Sequence, residues 1–267
     1  VGIRYTRRLK ILFRKLQVKT AICISGLARY YRETYTLFKE NILDKLPGEY
    51  DIFISTWETD DILDIKDLYK PTLIKTDPNI PENLEGYNEW ENFYTKFPNN
   101  SNSSPANTLP MLYKIKDCMQ IVEGYGKTVN VEYDFVIRTR FDILNLTPLN
   151  SYQLLNTQTT SKIGAHYSTL PTEPGWLYDG FAFGDYNTML TYSNLYDSLL
   201  EQAKKSDTWV IHKILKDYLI DNNIQAINPD NVIGMLKQER PIVFFGSSYP
   251  ENVNTIAWNN LKKIQKF

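Results

Sequence analysis

The chain reads as an α/β domain, a mostly parallel central sheet flanked by helices, and three observations carry that reading. Compact apolar runs of strand length recur at Thr20-Ala21-Ile22-Cys23-Ile24, Asp51-Ile52-Phe53-Ile54-Ser55-Thr56-Trp57 and Asp134-Phe135-Val136-Ile137. Helical patterns separate them, and strands alternating with helices imply a parallel sheet covered on both faces. The 267 residues, 42% hydrophobic and 23% charged, are enough for one large core that buries about three quarters of the unfolded surface.

The elements follow in order. The strand from Lys19 to Ser25 runs into the turn Ser25-Gly26-Leu27-Ala28-Arg29, and a helical pattern then continues to about Leu46: strand, glycine turn, helix. A second strand covers Asp51 to Trp57 and a shorter third covers Pro71 to Thr76. Residues 77–107, rich in Asn, Pro, Ser, Glu and Tyr, read as a long surface excursion of the kind that often serves as a lid. Thr108 starts a helix whose apolar positions Met111, Leu112, Ile115, Met119 and Ile121 serve a core face, and it delivers the chain to the strand at Asp134. Two more strands, Lys162 to Ser168 and Leu177 to Phe183, are joined by a turn at Pro171 to Gly175. Asp185 is placed to cap a helix to about Lys204, and Ser206 or Asp207 a second one to Asn222. Short strands at Gln225 to Ile227 and Pro241 to Phe245, then a last helix, complete the chain. Residues 19–267 thus form one domain.

Residues 1–18 stand apart as a basic N-terminal segment. Seven Lys/Arg and no acid fall within residues 1–20, interleaved with apolar side chains, so a linker or a surface helix resting on an anionic membrane is expected there. The net charge of −1 argues against a general nucleic-acid binder. There is no run of eighteen apolar residues and no secretory leader pattern. Cys23 and Cys118 lie in apolar segments and read as core residues in a reducing setting, so a cytoplasmic, membrane-associated location is expected. The acceptor patterns at Asn99, Asn102 and Asn145 carry little meaning outside a secretory context.

The densest chemistry lies in Arg138-Thr139-Arg140-Phe141-Asp142, where an apolar strand ends in two cations and a carboxylate. If the strand continues, Arg138, Arg140 and Asp142 share one face, and two cations about 7 Å apart repel by about 2 kcal/mol. An anion such as a diphosphate would offset that, with or without a divalent cation; an Arg/Asp ion-pair ladder is the plainer alternative. Open parallel sheets bind ligands beyond the carboxyl ends of their strands. Ser25, Gly26 and Arg29 fall at one such end and suit a phosphate, and Thr56 and Trp57 fall at another. Asp179 in Asp179-Gly180-Phe181-Ala182-Phe183-Gly184 is a carboxylate opening a glycine-flanked strand, placed to receive an acceptor hydroxyl's proton or to hold a metal. His166 and His212 read as packed or capping residues.

Together the four clusters resemble glycosyltransferases of the GT-A fold, a Rossmann-like α/β architecture, in particular the group related to the WavE lipopolysaccharide-synthesis proteins of surface-glycan gene sets and large DNA viruses. The likeness is carried by Ile24 to Arg29, Asp51 to Trp57, Asp134 to Asp142 and Asp179 to Gly184. It implies transfer of a sugar from a nucleotide-sugar donor to a glycan or lipid-linked acceptor, as in surface polysaccharide synthesis. It also implies nucleotide contacts at the first strand exit and Asp142 in the place of a metal-binding Asp-x-Asp motif, which would hold Mn²⁺ or Mg²⁺. Position 140 departs from that motif, being Arg rather than Asp. A single carboxylate with two arginines suits a diphosphate held with little or no metal. The competing reading is a non-catalytic nucleotide- or glycan-binding module of the same fold.

Overall fold

In the computed structural model, the structure describes residues 18–97, 105–158, 161–167, 175–231, 233–237 and 240–241. The expectations for the basic segment, the last helix, most of the strand at 241–245 and the acceptor patterns at Asn99 and Asn102 fall outside these residues.

The main sheet begins with β1 (Lys19–Gly26), α1 (Tyr31–Asn41), β2 (Glu49–Trp57), α2 (Ile62–Tyr69) and β3 (Leu73–Asp77). After α3 (Tyr87–Tyr94) and the long α4 (Pro105–Val129) come β4 (Phe135–Thr139) and β5 (Ile143–Asn145). The rest of the described chain is α5 (Ser151–Asn156), β6 (Lys162–Tyr167), β7 (Leu177–Asp185), α6 (Tyr186–Ser193), α7 (Leu195–Lys205), α8 (Ile211–Asp221), β8 (Gln225–Ile227), β9 (Ile233–Lys237) and β10 (Arg240–Pro241). The sheet runs in the order β3-β2-β1-β4-β7-β6-β8. Its pairs are parallel except where β7 runs against both β4 and β6. The α/β, mostly parallel architecture is therefore as expected.

Alternation along the strands divides the core between the two faces of the sheet. Ala21, Cys23 and Val136 pack with Leu112, Ile115, Cys118 and Met119 of α4. Ile22, Ile24, Phe135 and Ile137 pack on the other side with Tyr31 and Phe38 of α1. Over that second side lies a small antiparallel sheet, β10-β9-β5, which contributes Ile143 and Ile233 to the same cluster. Neither β5 nor β9 is expected from the sequence.

Several expectations need correction. The excursion at 77–107 is not a bare loop: Tyr87, Trp90 and Phe93 of α3 recur every three residues and close the core over α4. The helix expected through Lys204 breaks at Asn194 into α6 and α7, although Asp185 does cap α6, accepting from the Thr188 N–H at 3.0 Å. The cap foreseen at Ser206 or Asp207 is absent, because α8 starts only at Ile211 after the extended Val210. Asn145 is fully buried, so its acceptor pattern is out of reach in the fold. No helix among the described residues is long and apolar enough to cross a membrane.

Candidate functional site

The chain visits β1, β2 and β3 in one direction and then returns to place β4 on the other side of β1. That reversal makes a switch point between β1 and β4, and ligands of open α/β sheets enter the crevice beyond the carboxyl ends there. Two polar side chains meet at this junction. Ser25 leaves β1 fully buried and accepts a hydrogen bond from Arg138 Nε at 3.3 Å. Arg138 itself is 2% exposed, and its Nη1 and Nη2 have no hydrogen-bond partner.

The strand does not continue through the second arginine. It ends at Thr139, and the chain turns at Phe141 and Asp142, so Arg138, Arg140 and Asp142 do not lie on one strand face. The turn instead folds Asp142 back onto Arg140. Nε and Nη2 of Arg140 reach the two Asp142 oxygens at 2.9 and 2.7 Å, a bidentate fork. Burial works against the Arg140 charge, but the neighbouring Asp142, Tyr178 and Asp179 raise its pKa, so it stays a cation.

Because β7 is antiparallel to β4, its first residues lie at the carboxyl end of β4. Asp179 arrives there, 4% exposed, with Oδ2 at 3.8 Å from Arg140 Nη1 and without a hydrogen bond of its own. Its Oδ1 lies 3.0 Å from Nε2 of His212, which α8 supplies. Burial alone would raise the Asp179 pKa, but the His212 hydrogen bond and the charges of His212, Arg140 and Arg138 outweigh it and hold the carboxyl well below the usual carboxylate range. Asp179 is thus a fixed anion and a weak base. Tyr178 sets its ring edge on the imidazole, with centroids 5.6 Å apart, and Tyr192 donates its hydroxyl to the Asp179 carbonyl at 3.4 Å. Burial pushes the Tyr192 phenol up to about 12, so it is neutral.

The other expected residues divide. Gly26 has φ 111°, a conformation open to glycine, and its carbonyl accepts from Thr56 Oγ1 at 2.8 Å. This bond ties the ends of β1 and β2 together beside Ser25. Arg29 stands exposed beyond the turn with no ion pair among the described residues. Trp57 is buried and belongs to a separate cluster, with the Lys114 ammonium 4.3 Å from its ring centroid and the Tyr113 ring stacked on it. Lys114 in turn donates to Asp77 at 2.5 Å, and Lys75 to Asp117 at 2.5 Å. These charges are matched within the cluster. The structure therefore brings together Ser25, Arg138, Arg140, Asp142 and Asp179, adds His212, and leaves Arg29 and Trp57 outside. Nothing near position 212 signals a partner 33 residues away, so the sequence around His212 points only to a packed or capping residue.

Fold and site define an α/β protein with a buried arginine–carboxylate cluster at the carboxyl edge of its parallel strands. Residues 15–208 match the family described as Domain of unknown function (DUF7796), and the chain belongs to that family. The matched span holds all of the site except His212. No curated protein matches the chain.

Proposed function

We propose that the protein is a nucleotide-sugar-dependent glycosyltransferase acting on a glycan or lipid-linked acceptor. The observation that carries this reading is the meeting of Ser25, Arg138, Arg140, Asp142 and Asp179 at the sheet's switch point, from three separate stretches of sequence. The GT-A-like resemblance supplies the chemistry. An acceptor oxygen bonds to the donor's anomeric carbon, and the carbon–oxygen bond to phosphate breaks with its electron pair staying on the leaving nucleotide. Asp179 orients the acceptor hydroxyl, and the proton it loses passes to solvent water as the new bond forms. Fixed cations at the leaving group lower the barrier most once the reactants are positioned, because they need no reorganisation as charge develops.

Donor hydrolysis is the test. UDP-, GDP- and CMP-sugars are screened for nucleotide release with and without Mn²⁺. One donor is expected to be consumed, and Asp142→Ala and Arg140→Ala are expected to abolish its consumption. If every donor is inert the reading falls. Nucleotide binding without turnover would favour the non-catalytic module instead, for which the weak basicity of Asp179 and the absence of a second carboxylate at position 140 speak.

A further inference from the structure

The resemblance implies a divalent cation on Asp142, and the donor set does not fit one. Both Asp142 oxygens are engaged by Arg140, and the position where a second carboxylate would stand is that arginine. The next carboxylate, Asp179, is held between Arg140 and His212. Among the described residues no three His, Cys, Asp or Glu side chains converge as a cation cage.

Resting on the transferase reading above, we propose that the site binds the donor's phosphates without a divalent metal and that the two arginines divide the task. Arg140 takes the cation's place: it neutralises Asp142 and faces Asp179, so its fork is spent on protein carboxylates. Arg138 is the anion's seat. Its Nε is fixed by Ser25, so the guanidinium is oriented, while Nη1 and Nη2 carry no partner and the residue is 98% withdrawn from water. A buried guanidinium with two unused donors is costly alone and suits a phosphate that accepts from both. Pairing Arg140 with Asp142 and His212 with Asp179 leaves Arg138 as the charge without a carboxylate of its own. The two arginines are thus one positioning residue, Arg140, and one binding residue, Arg138.

The experiment is calorimetric titration of the full chain with UDP, GDP, CMP and inorganic pyrophosphate, in EDTA and again in excess Mn²⁺. The wild type is expected to bind the best of these in EDTA within about threefold of its affinity in Mn²⁺. Arg138→Gln should weaken that binding by about tenfold or more, and Arg138→Lys, which keeps charge but not the fork, should also weaken it. R140D, which sets two carboxylates side by side, should make binding depend on Mn²⁺. Binding by the wild type only in Mn²⁺ overturns the proposal and leaves the transferase reading standing. No binding in either buffer overturns the transferase reading itself. Wild-type affinity in an Arg138→Gln protein whose circular dichroism is native overturns the assignment of the seat. The wild-type comparison needs no variant, so misfolding of a mutant does not shield the idea.

Discussion

Two buried titratable residues, Asp179 and His166, both lose stability to acid, in different pH windows. Asp179 has a depressed folded pKa, so its stabilisation is complete above the unfolded carboxylate value of about 3.9 and is lost as pH falls through the lower folded value. Asp179→Asn should cost about 3 kcal/mol near neutrality by leaving Arg140 and His212 short of an anion, and the difference from wild type should shrink in acid. Urea titrations at neutral and strongly acidic pH measure it, and a pH-independent difference would contradict the cause given. His166 is fully buried against the Phe181 ring, and both of its ring nitrogens lack partners. Burial pushes its pKa down to about 3. Between about 6.5 and that value the unfolded chain binds a proton that the folded one refuses, so stability falls by about 1.4 kcal/mol per pH unit on acidification. His166→Leu removes this loss. Its advantage over wild type should grow by about 2 kcal/mol from about pH 8 to about pH 5, and an unchanged gap would be evidence against a neutral buried imidazole.

At the scale of elements, what was legible depended on how local the signal is. β1, β2 and β4 are continuous apolar runs because both faces of each are covered, and such runs stand out in any sequence. Asp185 was legible as a cap because a cap is decided within three residues. β5 and β9 were not, since a short strand is defined by its distant partner rather than by its own composition. α3 was hidden in a polar stretch, although the three-residue recurrence of Tyr87, Trp90 and Phe93 was there to be read. Trp90→Ala should therefore destabilise by about 4 kcal/mol in denaturant titrations, as for a core aromatic, whereas a lid residue would lose almost nothing. Gly26→Ala meets no atom within 4 Å and is opposed only by φ 111°. A loss of about 1–2 kcal/mol is expected from backbone strain alone, and an unchanged urea midpoint would show that the turn relaxes. The site itself was half legible. Arg138, Arg140, Asp142 and Asp179 carry their chemistry in sequence, but the turn that pairs Arg140 with Asp142 and the reach of His212 to Asp179 are products of the tertiary fold.

Over the whole molecule, the two apolar clusters are opposite faces of the same strands: Ile22 and Cys23, neighbours on β1, serve one each. Neither half can lose its strands without exposing the other, so far-ultraviolet circular dichroism and tryptophan fluorescence should report one coincident thermal transition. Two separated midpoints would mean that the faces come apart independently. The packing that couples the faces has a practical side. The sequence contains just two cysteines, Cys23 at the middle of the sheet and Cys118 on the helix laid across it, and both are sealed. Burial also raises the Cys118 pKa, which keeps that thiol protonated and slow to react. An alkylating reagent can reach them only when α4 lifts from β1, so the rate of thiol labelling in native buffer is a built-in clock for the rarest opening of the core.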